Sequence, residues 1–464
     1  MRKLLLPLLP IALVVSSGLA QAQVITVGPN INVTKQSGSQ SETAIAISRI
    51  NPNLVTLSSN AQGTMINKFS TNAGSTWSNS ALQVAGGYDS WMGADSFGNI
   101  FLSYQVSQVT SVARSIDGGA NYAVTGIAGS DADHPEMSVG PGITPGTNSI
   151  FLRDTVTGVN RVVSATSSGL GVSTGYTVQN GLGSGNFGST AVGPAGQTIF
   201  TSMNPSGGVG PTSMVLQYDA TGTGPGGYVN RGTLTTNVGG WRPVPAQPNR
   251  TIDAQIELEY DFSGGANNGA LYALYTQAAN TTTNDTNIVF RRSTDNGLTF
   301  SNELKLNNDI GTNSQFFGRL AVDQATGWLA SVWYDARNAG AANNKVELWG
   351  SISFNGGVTW QPNFKISGGM TNCINSGGNN NGNECGDYIS MDFYNGTLVT
   401  AWADSSNFTG DNPNGTSQLD IYFAKVAVAI PEPSTYALMA FGLAGVLLGV
   451  RRKTLPQPVR LSRA

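Results

Sequence analysis

One eight-residue pattern, repeated four times, constrains the fold of this chain more than any other feature of its sequence. Each copy has a Ser, an Asp or Asn two residues later, a Gly two residues after that, and an aromatic residue at the eighth position. The copies are Ser70–Trp77, Ser115–Tyr122, Ser293–Phe300 and Ser353–Trp360. An Asp or Asn side chain can accept hydrogen bonds from turn N–H groups, and Gly adopts positive φ at no steric cost. The pattern therefore predicts four β-hairpins with the same turn, in which these residues are structural: Asn72, Asp117, Asp295 and Asn355.

Seven longer units indicate how the rest of the chain is organised. Each is an apolar strand, a turn at Gly or Asn-Pro, and a second strand that ends near a polar residue. The units are Thr43–Asn60, Trp91–Gln105, Glu136–Asp154, Phe187–Asn204, Ala254–Gln277, Arg319–Asp335 and Tyr388–Asp404. Residues 23–428 are therefore predicted to form an all-β propeller of seven blades, with six as the alternative if one unit is a split blade. Leu419–Lys425 reads as a final strand, and Val24–Val33 as an N-terminal strand that could complete the last blade.

The charged residues are few and nearly balanced. There are 24 Lys and Arg against 27 Asp and Glu, a net charge of −3, so we expect no nucleic-acid partner. Charged residues make up 11% of the chain, which argues against coiled coils and helical repeats. The single histidine, His134, excludes a two-His zinc site. Since His134 precedes a Pro, we expect it to be a polar turn residue exposed at the rim, with a structural role.

The four repeated hairpins resemble the Asp-box (BNR) repeat of sialidase-like β-propellers. In that family the box lies between the third and fourth strands of a blade, away from the catalytic face. The resemblance implies a Tyr nucleophile, its Glu partner, an Asp acid/base and three Arg that clamp the substrate carboxylate. The positions that could match these roles are Tyr388, Glu257, Asp89 and, for the third Arg, Arg319.

The other two arginines of that clamp have no good match. Arg49, in the segment Ser48–Pro52, falls at a turn between strands and is expected to point outward. The hairpin after Glu257 reads Leu271–Tyr275 and contains no Arg. Because each charge-assisted partner contributes about 1.5–3 kcal/mol, such a site would hold a carboxylate poorly. We therefore expect a binding protein rather than a sialidase.

Four aspartates precede the predicted first strands of blades and could share one rim. They are Asp89, Asp133, Asp253 and Asp387. Neighbouring carboxylates could bind a ligand or recruit a cation such as Ca²⁺, and the alternative is that each caps the turn of its own loop. Trp241, in a Gly- and Pro-rich segment, is the best candidate for an exposed ring that packs on a sugar, whereas Trp333 and Trp402 are expected in the core.

The N-terminus has the form of a secretory signal. Residues 1–22 have a basic start at Arg2 and Lys3, an apolar run and a small-residue cleavage site at Ala20–Ala22. In an oxidising compartment Cys373 and Cys385 are expected to form a disulfide. A redox or metal role is the alternative, but the sequence places no His or further Cys near them.

The C-terminus carries a second targeting signal. The motif Pro431, Glu432, Pro433 and Ser434 is followed by an apolar stretch, Tyr436–Val450, and then by Arg451, Arg452 and Lys453. Residues 429–453 resemble the PEP-CTERM sorting signal, and residues 454–464 form a basic tail. The resemblance implies that an exosortase of a Gram-negative bacterium recognises the signal, cleaves near it and delivers the protein to the cell surface. The apolar stretch itself predicts a short membrane helix before processing, and an unprocessed anchor is the alternative.

Together these features predict an exported propeller at the cell surface or in the extracellular matrix that binds carbohydrate or another extracellular ligand. Its Asn-, Ser- and Thr-rich loops and the association of the sorting signal with exopolysaccharide support this prediction. The alternative is a sialidase-like exo-glycoside hydrolase. A third possibility, a purely structural envelope protein, would have a funnel filled with apolar side chains.

Overall fold

The computed structural model describes residues 23–127, 131–222, 227–375 and 384–429. Within these ranges the strands form seven antiparallel sheets that follow one another along the chain, each with its first strand innermost. The strands of each blade are given from the inside outward. Blade 1 has Gln40–Ile47, Val55–Ala61, Thr64–Ser70 and Ser78–Asn79 with Val84–Ala85, and blade 2 has Gly87–Ala94, Ile100–Val106, Val109–Ser115 and Ala123–Gly126. Blade 3 has Ala132–Pro141, Asn148–Val156, Val159–Gly169 and Val172–Ser173 with Thr177–Gln179, and blade 4 has Asn186–Val192, Thr198–Asn204, Thr212–Asp219 and Val229–Thr236. They continue as Glu257–Tyr260, Leu271–Ala278, Thr286–Ser293 and Leu304–Lys305 in blade 5; Gln315–Asp323, Trp328–Asp335, Glu347–Ser353 and Phe364–Lys365 in blade 6; and Ser390–Tyr394, Thr397–Asp404 and Asp420–Ala429 in blade 7.

Five short elements lie outside this series. Arg242–Val244 and Gln247–Ile252 pair as a separate hairpin between blades 4 and 5, which we term the crossing hairpin. Gly340–Ala342 is a single 3₁₀ turn. Val24–Val27 and Ile31–Asn32 precede blade 1.

The sheets close into a ring. Each innermost strand contacts the innermost strands of the blades on either side, including blade 7 against blade 1. At that closure the Ser390 hydroxyl donates to Thr43 (2.8 Å), and the Thr43 hydroxyl donates to the Ala401 carbonyl (2.9 Å). The N-terminal segment adds to the outer edge of blade 7, where Ile31 pairs with Phe423. The predicted all-β propeller, its count of seven blades and its completion by the N-terminal segment are confirmed, and closure leaves few strand edges unpaired.

Side chains that alternate along the strands form the buried core. Trp333 and Trp402, which occupy the same place in blades 6 and 7, are fully buried, as predicted. Each indole N–H donates to the Asp two residues later, Asp335 at 2.8 Å and Asp404 at 2.9 Å. Burying a side chain of this size contributes about 2–3 kcal/mol, and the hydrogen bond satisfies its one polar group.

The four hairpins share one hydrogen-bond network. In each, the Ser hydroxyl accepts from the Gly N–H at 2.9 Å. It also donates to the Asp or Asn side chain, at 2.8–3.0 Å. That side chain in turn accepts the backbone N–H four residues further along, at 2.9–3.0 Å. The hairpins connect the third and fourth strands of blades 1, 2, 5 and 6.

The hairpins also attach each blade to the one before it. Trp360 of blade 6 packs edge-on against Phe290 of blade 5, with ring centroids 5.2 Å apart. Gly357, at φ +81°, leaves room for that ring, since a Cβ there would lie 2.3 Å from Phe290. The glycine is therefore required both for the turn and for the contact between blades.

The two ends of the chain form a separate unit, residues 1–26 and 428–464, of which residues 23–26, 428 and 429 are described. The predicted signal peptide, the rest of the sorting motif and the basic tail at 454–464 lie outside the described residues. Among the described residues, no helix is long and apolar enough to cross a bilayer. The predicted disulfide between Cys373 and Cys385 is confirmed.

Candidate functional site

The crossing hairpin reaches over the ring to the loop that precedes blade 7. Its Asn249 side chain donates to Glu384 (2.7 Å), and its Gln247 side chain donates to the Gly386 carbonyl (2.7 Å). Arg250 forms a two-point ion pair with Asp387, in which Nε lies 2.7 Å from Oδ1. The disulfide with Cys373 holds that loop at Cys385.

A cavity of about 650 Å³ opens between the crossing hairpin and the ends of the innermost strands. We term it the cup, and the residues that define it are Asp89, Asp133, His134, Trp241, Arg250, Asp253 and Asp387. All four aspartates expected at the rim line this one cavity, and so does Trp241, which is 63% exposed. The lining is mostly polar and charged, unlike the apolar filling expected of a purely structural propeller.

A recurring backbone feature directs side chains into this end of the ring. In six of the seven blades, a non-glycine residue with positive φ lies within two residues of the start of the innermost strand, where most of these strands have a β-bulge. These residues, with φ between 44° and 53°, are Glu42, Asp89, His134, Phe187, Gln255 and Phe317. Left-handed backbone costs roughly 1–2 kcal/mol for such residues, and bulges redirect side chains. This shared geometry occurs at four polar residues and two phenylalanines at one end of the ring.

Burial has a large effect on the acidic groups of the cup. It raises the pKa of Asp253 to about 7, and the nearby Asp387 carboxylate adds to the rise. Burial also raises the pKa of Asp89, against the opposing charge of His134, and that of Glu42, which lies beside Asp387. Asp253 accepts the Gln255 N–H, and Glu42 accepts hydrogen bonds from the Asn60 side chain and the Asp387 N–H. The Asp89 carboxylate accepts none from the described residues, so it is both costly to ionise and available to bind a ligand.

His134 lies at the bottom of the cup and is only 4% exposed, so the expectation that it would be exposed was wrong. The Phe187 ring (centroid distance 4.6 Å) and the Trp91 ring (5.8 Å) come from neighbouring blades and cover the imidazole edge-on. Burial lowers the pKa of His134, but the carboxylates of Asp133 and Asp89 outweigh that effect, together with Glu136 and Asp387, and raise it to about 9.

The arginines around the ring axis are already paired. Besides the Arg250–Asp387 pair, Arg319 lies 2.5 Å from Glu257, and Arg153 lies 3.1 Å from Glu136. An arginine that is engaged in this way cannot clamp a ligand carboxylate without leaving its own buried partner unpaired.

The residues of the hydrolase alternative lie in different places. Asp89 lines the cup, and Tyr388 is buried against Trp91 with ring centroids 4.4 Å apart. Glu257 and Arg319 instead line a narrower central cavity of about 120 Å³. None of the cavities described here is lined by all four residues.

Arg49 corrects a second expectation. It does not point outward but lines the central cavity, where its guanidinium pairs with both oxygens of Asp392 at 2.9 and 3.0 Å. The turn at Ser48–Pro52 lies at the opposite end of the innermost strand of blade 1 from Glu42, so Arg49 is also remote from the cup. The reason for the error is that Asp392, 343 residues away in sequence, attracts the side chain inward.

Sequence reasoning missed several groups of this site. The pairing of Arg250 with Asp387 joins residues 137 positions apart, and no local signal marks it. Glu42 receives a hydrogen bond from the Asp387 N–H at 3.1 Å, again across the ring closure. The one available signal for the crossing hairpin was the Gly- and Pro-rich segment around Trp241.

Comparisons with known proteins bear on the sorting signal and add little to the fold. The PEP-CTERM protein-sorting motif model matches residues 429–453, which confirms that resemblance and implies exosortase-sorted export to the cell envelope of a Gram-negative bacterium. The chain is thus a seven-bladed β-propeller protein with a C-terminal PEP-CTERM sorting motif. No curated protein sequence matches it significantly.

Solved propellers share the general architecture. An α-L-arabinofuranosidase of Fusarium graminearum in complex with an iminosugar inhibitor is 11% identical, with a TM-score of 0.42 over 70% of this chain and 98% of that one. A Hadza microbial sialidase is 9% identical, with a TM-score of 0.42 over 80% and 73%. The WD40 domain of fission yeast SCAP is 9% identical, with a TM-score of 0.39 over 87% and 98%. Similarities at this level support no inference about function, and the blade count depends on the strand pairing of this chain alone.

Proposed function

We propose that this exported propeller binds a glycan in the cup, and that the glycan is neutral or basic rather than acidic. The observation that carries the proposal is the position of Trp241 beside four aspartates on a single cavity. A cavity of several hundred cubic ångströms is of the size that binds small organic ligands. Carboxylate oxygens accept hydrogen bonds from sugar hydroxyls, and an exposed indole offers a flat apolar face to a sugar ring.

The charge of the cup supports a neutral or basic ligand. Above about pH 7, where Asp89 and Asp253 lose their protons, the four aspartates of the cup outnumber its two cationic groups, His134 and Arg250. Arg250 is already paired with Asp387. An acidic sugar would therefore meet a net negative field and no free guanidinium, and like-charge contacts of this kind disfavour binding.

A glycan array tests this proposal. The purified protein is applied, in the presence of a chelator, to immobilised neutral, amino and sialylated glycans. We expect binding to neutral or amino glycans, with at least a tenfold loss for Trp241→Ala, since a central aromatic contact contributes about 1.5 kcal/mol or more. Ile310→Ala, which truncates a fully exposed apolar side chain outside the cup, is the matched control.

Three results would contradict the proposal. They are binding to no glycan, binding only to sialylated glycans, and binding that survives Trp241→Ala unchanged. Release of product from a sialoside at an enzymatic rate would instead support the hydrolase alternative.

A further inference from the structure

Three side chains at the bottom of the cup converge on one point. Donor atoms of Asp89, Asp133 and His134 all lie within 4.8 Å of one another. Asp89 belongs to blade 2, while Asp133 and His134 belong to blade 3, so the ring closure and not the local sequence brings them together. The set combines one imidazole nitrogen with two carboxylates.

Two of these three groups are buried without a partner. Asp89 is 7% exposed, and its carboxylate accepts no hydrogen bond from any described residue, although its backbone N–H donates to Asn60 (3.1 Å). Within the same part of the chain the His134 imidazole makes no hydrogen bond either, and its Nε2 lies 4.0 Å from Oδ1 of Asp133. Both side chains line the cup without a hydrogen-bond partner among the described residues, so their polar atoms are available to a ligand there.

The surroundings hold this arrangement in place. The φ angles of Asp89 and His134, both 50°, turn the two side chains toward each other from adjacent blades. The Trp91 and Phe187 rings limit the orientations of the imidazole. Asn186 donates to the Oδ2 atom of Asp133 at 2.6 Å, which leaves Oδ1 facing His134.

We propose that Asp89, Asp133 and His134 bind a divalent transition metal ion, which displaces the proton from the imidazole to solvent and keeps open coordination positions facing the cup. Three protein ligands with a free position are typical of zinc sites that act on ligands, and an imidazole favours such ions over Ca²⁺ or Mg²⁺, which prefer oxygen ligands alone. Zinc ligands lie about 2.0–2.2 Å from the ion, so these donors need to draw together by roughly 1 Å. The hydrogen bond from Asn186 would orient the Asp133 carboxylate, as partners of metal ligands usually do. This site differs from the all-oxygen Ca²⁺ site considered from the sequence, and it does not depend on glycan binding.

The test uses metal ions alone. The purified protein is stripped with a chelator, dialysed, and titrated calorimetrically with Zn²⁺, Mn²⁺ and Ca²⁺ in separate experiments. We expect one Zn²⁺ per chain with a dissociation constant in the micromolar range or tighter and much weaker Ca²⁺ binding. Asp89→Asn and His134→Gln are each expected to weaken Zn²⁺ binding at least tenfold.

Matched controls separate ligand loss from misfolding. Asp295→Asn changes an aspartate outside the cup and should leave Zn²⁺ binding unchanged, because Asn occupies that place in two of the four hairpins. If a cup variant loses its thermal unfolding transition, Asp133→Asn replaces it, since the Asp133 side chain is 43% exposed. His134 is the only histidine, so Zn²⁺ should also shift the single histidine signal of ¹³C-histidine-labelled protein.

Clear outcomes would overturn the metal site. They are no Zn²⁺ binding up to about 1 mM, Zn²⁺ binding that is unchanged in the cup variants, and Ca²⁺ binding without Zn²⁺ binding. The glycan array is run with chelator, so the absence of glycan binding would leave the metal site standing. The absence of Zn²⁺ binding would likewise leave the proposed glycan binding standing.

Discussion

Asp295 of a repeated hairpin and Asp89 of the cup are the same residue type in turns of the same propeller, yet their pKa values are shifted in opposite directions. In the hairpin of blade 5, hydrogen bonds from the side chain and backbone of Thr299 lower the pKa of Asp295 to about 2. In the cup, burial raises the pKa of Asp89, whose carboxylate accepts no hydrogen bond among the described residues. Asp295 is therefore structural because its turn satisfies it, whereas Asp89 is available to a ligand because its turn leaves the carboxylate unsatisfied.

The largest expected effect on stability comes from a substitution in one of the repeated hairpins. Gly357→Ala places a Cβ 2.3 Å from the Phe290 ring and forces alanine to φ +81°. Strain and overpacking together should lower the free energy of unfolding by about 3 kcal/mol. Gly63→Ala, at φ +73° with open space around the new Cβ, should cost only about 1 kcal/mol. Chemical denaturation of both variants checks the difference, and equal losses would contradict the packing role of Gly357.

A pair of substitutions should change stability in opposite directions. Asp295→Ala removes the acceptor that holds its turn and should destabilise by about 1–2 kcal/mol, as loss of a capping residue does. Asp89→Asn, in metal-free protein at pH 8, removes an unpaired buried charge and places Asn in a left-handed position that it tolerates well. We therefore expect a modest gain in the melting temperature. A loss for Asp89→Asn as large as that for Asp295→Ala would remove the distinction between the two regions.

The smallest expected effect on stability concerns an acidic side chain of the central cavity. Glu259 accepts no hydrogen bond from a described residue, and burial, helped by Glu257 and Asp392 and opposed by Arg319 and Arg49, raises its pKa to about 8. An acid whose pKa is raised on folding loses stability as pH rises from its ordinary value, about 4.5, to about 8.

Glu259→Gln should therefore match the wild type near pH 4.5 and melt roughly 1–3 °C higher at pH 8. Scanning calorimetry across this pH range measures the difference, which isolates Glu259 from the other titrating groups. A difference in melting temperature between the wild type and Glu259→Gln that is constant with pH would show that Glu259 is not the titrating group.

The fold could be predicted because its signals are local. The alternation of apolar residues in units such as Arg319–Asp335 and the four hairpins depend on neighbours within about twenty residues, and both agree with the strands observed. The four rim aspartates could be placed on one side of the ring for the same reason, since each precedes the first strand of a blade.

The interior of the site could not be predicted in this way. The burial of His134 depends on the rings of Trp91 and Phe187, which come from two other blades. The direction of Arg49 depends on Asp392, at the far end of the chain. Such contacts form only when the ring closes, so no short segment of the sequence indicates them.

The most direct test of the cup is the titration of its single histidine. His134 is faced by the carboxylates of Asp133, Asp89, Glu136 and Asp387, and Arg250 is the other cationic residue that lines the cup. In chelator-treated protein labelled with ¹³C-histidine, one signal reports this residue without assignment. An acidic cup with unsatisfied carboxylates predicts a midpoint near pH 9. A midpoint at or below the ordinary value of about 6.5 would show that no such concentration of negative charge surrounds the imidazole.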